Sequence, residues 1–279
     1  MKLLLASALA LLHLLSTVHA KEHAEQVHYI PSNSWILGAS IGYGELSNPL
    51  YSSDKLPLFI LPDIRYYGEK ISFDNLNFSY ALLEKPGMVI ELISTQNEDG
   101  IYFPGKARKG YAALSGAHTG ITLDLLQAEL APVTPTHRSM SYLAGVETRF
   151  YGWLNLYASW QTDISNVHHG NEAKVRAIKQ AQFANTQFSL EAAVTYKSKR
   201  LSHYYYHTGE RDTSNSRLFY NPQAATNYLV KLNVAYPLNE NFALVAFAQK
   251  KWLAKEITNS PSVIDRSPYG FFIGVKYVL

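Results

Sequence analysis

Residues 269–279 set the tightest limit on what this chain can fold into. Tyr269, Phe271, Ile273, Val275, Tyr277 and Leu279 share one parity, while Gly270, Gly274 and Lys276 share the other. Successive side chains of a strand point to opposite faces, so this alternation describes a strand with one apolar and one polar face. A strand of about eleven residues is long enough to cross a bilayer at the usual tilt, whereas strands of soluble sheets usually run about five or six.

The same pattern recurs upstream. Tyr228, Val230, Leu232, Val234 and Tyr236 alternate with Asn227, Lys231 and Asn233; a turn at 237–241 then leads into an apolar run at 242–252, which reads as a hairpin. A second hairpin pairs 172–182 with 187–199, with Phe188, Leu190, Ala192, Val194 and Tyr196 outward and Gln187, Ser189, Glu191, Thr195 and Lys197 inward. A third joins 142–150 to 153–163 around Gly152, its polar parity including Glu147, Arg149, Asn155, Gln161 and Asp163. Near the N-terminus, Trp35, Leu37, Ala39, Ile41 and Tyr43 make a first strand, followed by a loop at 44–55. The phase then shifts between Ile60, Ile64 and Tyr66, then Ile71 and Phe73, then Leu76, Phe78, Tyr80 and Leu82, which implies turns or bulges near Gly68 and Asp74. Residues 88–94 follow the Glu84-Lys85-Pro86-Gly87 turn, and 119–130 form a weaker segment.

Ahead of these strands, Lys2, an apolar run at 3–15 and the small-residue exit Val18-His19-Ala20 have the layout of a cleavable secretory signal. The run is shorter than the roughly twenty residues of a spanning helix. The expected division is therefore a signal peptide at 1–20 and one barrel domain at 21–279. Beyond the leader no apolar stretch reaches bilayer length, so a membrane-embedded mature chain must be a closed barrel, which pairs all its backbone groups. Mean hydropathy of −0.12 fits such alternation. Twenty Tyr, 12 Phe and 4 Trp suit aromatic girdles at both water interfaces.

The expected fold class is all-β: an antiparallel transmembrane β-barrel of about twelve strands, with ten as the fallback. With both termini periplasmic, that count puts the long segment 95–118 on the periplasmic side, where connections are normally short. The loop at 200–224 falls outside under either count. The chain has no Cys, so neither disulfides nor thiolate ligands hold the fold, and a lipoprotein anchor is not expected. A net charge of +3 gives no reason to expect nucleic acid.

Several motifs invite a chemical reading. Gly38-Ala39-Ser40-Ile41-Gly42 matches G-x-S-x-G but lies inside an alternating strand rather than at a strand-to-helix turn, so small lumen-side residues explain it better. Residues 100–106 approach a phosphate loop, yet Ala107 stands where a magnesium-holding hydroxyl is needed. His203 and His207 would stand roughly 13 Å apart in extended chain, and His168 and His169 would face opposite ways. No catalytic, cofactor-binding or metal residue is assigned, and no enzyme activity or cofactor is expected. The inward charges Glu147, Arg149, Asp163, Glu172, Lys174, Arg176, Glu191, Lys197 and Lys231 either line a pathway or pair and fill the lumen; in a small barrel, filling is favoured.

The C-terminal third carries Tyr204-Tyr205-Tyr206, Tyr220-Asn221-Pro222, Tyr236-Pro237-Leu238, and Glu256-Ile257-Thr258-Asn259-Ser260-Pro261 with Val263 and Asp265. In these residues it resembles the MipA/OmpV family of outer-membrane proteins. Weaker matches lie at 163–170 and 62–70. His207 and Thr208 precede Gly209 where the family's triple tyrosine usually meets glycine directly, and the chain ends in Leu279 where many such barrels end in Phe. The resemblance implies location in the Gram-negative outer membrane. It also implies, for some members, a scaffold joining a lytic transglycosylase to a peptidoglycan synthase. The leading expectation is thus a non-enzymatic scaffold whose partners also include outer-membrane lipid and lipopolysaccharide. A passive or gated pore for small solutes is the alternative, and a barrel-rim hydrolase is a further rival. The expected partner surface comprises 21–34, the turns at 183–186 and 237–241, and above all 95–118, where Tyr102, Phe103 and Tyr111 stand beside Lys106, Arg108 and Lys109.

Overall fold

The computed structural model describes residues 33–51, 55–103, 133, 136 and 138–279. Within them twelve antiparallel strands close into one barrel in simple sequence order, with β1 sealing against β12. The strands are β1 (Ser34–Leu46), β2 (Leu56–Tyr67), β3 (Ile71–Asp74), β4 (Asn77–Lys85), β5 (Met88–Gln96), β6 (Tyr142–Phe150), β7 (Asn155–Asp163), β8 (Asn171–Phe183), β9 (Thr186–Lys197), β10 (Ala225–Pro237), β11 (Phe242–Trp252) and β12 (Tyr269–Val278). The long hairpins fall where the alternation puts them. In β9–β10–β11, for example, Leu190, Leu232 and Ala248 stand side by side in register.

Burial is inverted relative to a soluble sheet. Trp160, Val175, Tyr196, Tyr228, Leu244 and Ile273 are exposed on the outer wall, while Asp63, Glu91, Glu147, Gln161 and Glu172 are buried on the inner one. A wall of exposed apolar side chains around a polar interior is stable in hydrocarbon and costly in water. Aromatic contacts gather near both rims: Trp35 with Tyr66 and Phe242 with Tyr277 at one end, Tyr43 with Phe59 and Phe271 at the other.

The pairing of Gly38 with Val278 puts the start of β1 and the end of β12 at one rim, here the terminus end. The connections there are short: 68–70, 86–87, 151–154, 184–185 and 238–241. The opposite rim is where the longer connections leave and rejoin the strands, their described parts being 47–51, 55, 97–103, 133, 136, 138–141, 164–170, 198–224 and 253–268, and this contrast marks it as the extracellular side. The loop at 198–224 contains helix α1 (Lys199–Tyr206), and the one at 253–268 contains the short helix α2 (Lys255–Thr258).

Two expectations change. The weak segment 119–130 lies outside the described residues, and the ring reaches twelve strands without it because β5 pairs directly with β6 along Met88↔Phe150 to Gln96↔Tyr142. The missing strand is β3, only four residues long, which pairs Arg65–Tyr67 on one side and Asn77–Tyr80 on the other. Counting β3 as a full reversal turns β5 toward the loop end. Residues 97–103 therefore sit at the extracellular rim rather than the periplasmic one, and 104–118 lie outside the described residues. The phase shifts have local causes: Asn75 in the left-handed region between β3 and β4, and register slips between Ile41 and Gly44 and between Ala81 and Leu83.

Candidate functional site

The barrel encloses a cavity of about 460 Å³ lined almost wholly by the polar parity of its strands. On one side the charges pair tightly. Glu147 accepts from Arg149 at 2.8 Å and from Arg176 at 3.0 Å, and Arg149 also reaches Glu91 at 2.7 Å. Across the lumen, Asp63 bonds Arg65 at 2.5 Å and Lys276. Both guanidiniums of the first group also lie over the Tyr157 ring, Arg176 at 4.6 Å and Arg149 at 5.7 Å.

The other side, β8 to β11, presents lysines. Lys174 pairs with Glu172 at 3.3 Å, while Lys231 lies 4.9 Å above the Phe247 ring with no ion pair among the described residues. Lys197 and Lys251 find their partners on a loop. After β5 the chain makes a 3₁₀ turn, Glu98–Tyr102, capped by Asn97, whose side chain accepts the Asp99 N–H at 2.8 Å. This turn aims Asp99 at Lys197 and Glu98 at Lys251, each at 2.5 Å. Glu98 is exposed to the cavity, and Lys251 beside it holds its carboxyl well below the usual carboxylate range.

Above the turn lies a small apolar core at the loop rim, in which Leu50, Ile101, Phe103, Leu201, Tyr205 and Ile257 are buried together. The Phe103 ring packs 5.8 Å from Tyr205 and 6.3 Å from Tyr206, and Asn48 donates to the Tyr102 carbonyl at 2.9 Å. Gly100 is required where the turn meets Met140: a Cβ there would stand 2.6 Å from its Cγ. Residues 97–103 thus form a stopper in the extracellular mouth. It is held by packing above and by two ion pairs to the lumen wall below.

The loop rim also brings a hydroxyl, an imidazole and a carboxylate together. Ser141 Oγ lies 3.0 Å from His168 Nε2, and Asp163 Oδ2 lies 3.8 Å from Nδ1. The Gly170 N–H donates to Nδ1 at 2.9 Å, which places the imidazole proton on Nε2, pointing at the serine. A general base needs the opposite tautomer. Ser141 is also fully buried, and Asp163 is occupied in accepting the N–H groups of Ser165, Val167, His168 and His169. The cluster ties the 164–170 loop to the rim and is not a hydrolytic triad.

A profile described as MltA-interacting protein MipA matches residues 28–279. The chain belongs to this family. As a MipA-family member whose described residues form a closed twelve-stranded wall, it is an outer-membrane β-barrel. The putative outer membrane protein YiaT of Escherichia coli K12 is 28% identical over 142 residues, 50% of this chain and 58% of the relative, so the chain spans little more than half of that protein. Outer membrane protein Omp26La of Vibrio anguillarum is 21% identical over 235 residues, covering 84% and 82% of the two chains. Among solved structures, an outer membrane channel from Pseudomonas putida F1 aligns over 90% of this chain and 97% of its own at 8% identity and a TM-score of 0.39. LpxR from Salmonella typhimurium aligns over 87% and 99% at 10% identity and 0.36. Scores this low carry no functional argument.

In this MipA-family barrel the inward charges expected from parity do face the lumen, apart from Asp163, which serves the rim. Lys276 faces the lumen as its parity predicts, whereas sequence reasoning missed Asp63 and Arg65, which alternate with Ile64 and Tyr66, and Glu91 and Lys251, whose inward neighbours Val89, Ile93, Val245 and Phe247 are apolar and hide the pattern. It also missed Glu98 and Asp99, which no periodicity marks. Ser40 is buried inside β1, and a Cβ at Gly42 would come 2.1 Å from the Ile273 carbonyl of β12, so small residues there serve strand contact. His203 and His207 are brought together on and just after α1 rather than held apart in extended chain. Their rings stack at 4.4 Å, and each is engaged elsewhere, His203 with Asn221 and His207 with the Tyr220 carbonyl. Residues 100–103 belong to the stopper, and 104–106 of the phosphate-loop-like stretch lie outside the described residues.

Proposed function

We propose that this barrel is a gated passage for small polar solutes, closed at its extracellular mouth by residues 97–103. The observation that carries this reading is the charged cavity of about 460 Å³ beneath a loop segment that packs into the rim core above and meets the lumen wall below through two side-chain ion pairs. A wholly filled lumen needs no separate closure, whereas a path with a removable segment at one mouth does. The sequence favoured a filled lumen, and the paired arginine side fits that in part; the lysine side leaves space.

Planar-bilayer recording tests the proposal. The unmodified protein should show rare or brief openings. Glu98→Lys, which sets like charges at the Lys251 contact, should give sustained single-channel steps. Silence from both proteins, each folded, would reject the passage.

The scaffold reading has separate support in the family description, which names interaction with MltA. In this chain such a partner would meet the terminus-end turns at 184–185 and 238–241 and the segment 21–34, of which 21–32 lie outside the described residues. Residues 97–103 are at the wrong rim for it. Crosslinking in intact envelopes followed by pull-down, comparing the unmodified chain with one altered in the 238–241 turn, tests that role. Loss of a lytic transglycosylase from the captured set only in the altered chain would support it.

A further inference from the structure

We infer that the open lumen selects small anions, and that the stopper carboxylates occupy the lysine positions an anionic solute takes during passage. The inference rests on the gated-passage reading and adds a substrate class to it. Glu98 Oε2 and Asp99 Oδ2 each accept from a lysine of the wall, Lys251 and Lys197, within hydrogen-bonding distance. Both carboxylates come from a loop at the mouth, so among the described residues of this charge arrangement they are the ones no barrel strand carries, and their movement does not require the barrel to unzip.

Once they leave, Lys174, Lys197, Lys231 and Lys251 face the cavity from four consecutive strands, and Glu172 and Glu191 are the carboxylates on the same side. Glu172 already pairs with Lys174. Lys231 and Glu191 stand opposite each other in register on β10 and β9, yet form no ion pair among the described residues. Elsewhere on the wall, Glu91 and Glu147 are engaged by Arg149 and Arg176, and Asp63 by Arg65 and Lys276; Asp74 also lines the cavity, with no ion pair among the described residues, and offsets the lysines only in part. In a narrow, low-dielectric lumen, uncompensated like charges set the sign of the ion admitted. Carboxylates bound to those lysines show that the positions suit an oxyanion. A small mono- or dicarboxylate, or phosphate, fits this chemistry, and chloride is its simplest probe.

The test separates selectivity from mere loosening. E98Q/D99N and K197Q/K251Q each abolish the same two ion pairs and loosen the stopper alike, but the first leaves the lysines charged and the second leaves the carboxylates. Reversal potentials in a potassium chloride gradient should show a several-fold preference for chloride in E98Q/D99N, and loss or reversal of that preference in K197Q/K251Q. Heat-modifiable migration on gels confirms folding; single E98Q and K251Q variants make the same comparison if a double variant does not fold. Conducting variants that share one selectivity, or a cation-selective E98Q/D99N, would overturn the anion assignment while leaving the passage standing. Folded variants that all fail to conduct would overturn both.

Discussion

At the scale of single residues, parity decides what a substitution costs. Val230 shares its face with the exposed Tyr228, Leu232 and Tyr236, whereas Asn233 points inward. Val230→Arg should destabilise the barrel by about 2 to 4 kcal/mol near the bilayer centre, and Asn233→Arg should be mild. Urea unfolding in lipid vesicles checks the difference, and equal costs would show the phase to be wrong. His168 gives a pH prediction. Burial holds its imidazole below the ordinary value near 6.5, against the nearby Asp163 carboxylate. Because the folded value is the lower one, the unfolded segment takes up the proton more readily. The histidine is therefore well tolerated above about pH 6.5, and stability is lost as the pH falls through that value toward the folded one. The protection of the Gly170 amide, whose N–H donates to Nδ1, should fall on going from pH 7.5 to 5.5 once exchange is corrected for its intrinsic pH dependence, and His168→Phe should remove that pH-dependent change.

At the scale of elements, the loop between β7 and β8 depends on one side chain. Asp163 accepts the backbone N–H groups of Ser165, Val167, His168 and His169 between 2.6 and 2.9 Å, replacing the strand ladder where the chain turns away. Asp163→Ala leaves those donors unsatisfied and should cost about 1 to 3 kcal/mol, felt locally. Limited proteolysis should then cut within 164–170 while the strands stay intact. Helix α1 illustrates why such elements escape a strand-based reading. Its Tyr204-Tyr205-Tyr206 run looks like girdle sequence, but Arg138 donates to the Tyr204 carbonyl at 2.8 Å and Tyr205 donates to the Ser139 carbonyl at 2.9 Å. Those partners are more than sixty residues away in sequence, and only the assembled rim unites them.

At the scale of the whole molecule, the short β3 sets the direction of β4 and β5, and the direction of the barrel as a whole follows from which rim carries the long connections. That direction can be measured directly, because the native chain contains no Cys. A single cysteine replacing Arg200, exposed on the loop rim, should react with an impermeant maleimide in intact cells. One replacing Glu240 in the 238–241 turn should react only after the periplasm is opened. The opposite pattern would invert the barrel and put the stopper at the periplasmic mouth. What the sequence determined by itself was whatever a period of two can carry: the long strands, their lipid and lumen faces, the closed wall, and most of the inward charges from Glu147 to Lys231. What only the tertiary structure decided was what depends on contacts distant along the chain. A four-residue strand has too few alternations to announce itself, yet it reverses the path of β5 and moves residues 97–103 to the extracellular mouth. Glu98 and Asp99 sit in a 3₁₀ turn with no strand parity, and their meaning comes from Lys251 and Lys197, about a hundred or more residues away, which closure of the barrel brings within 2.5 Å.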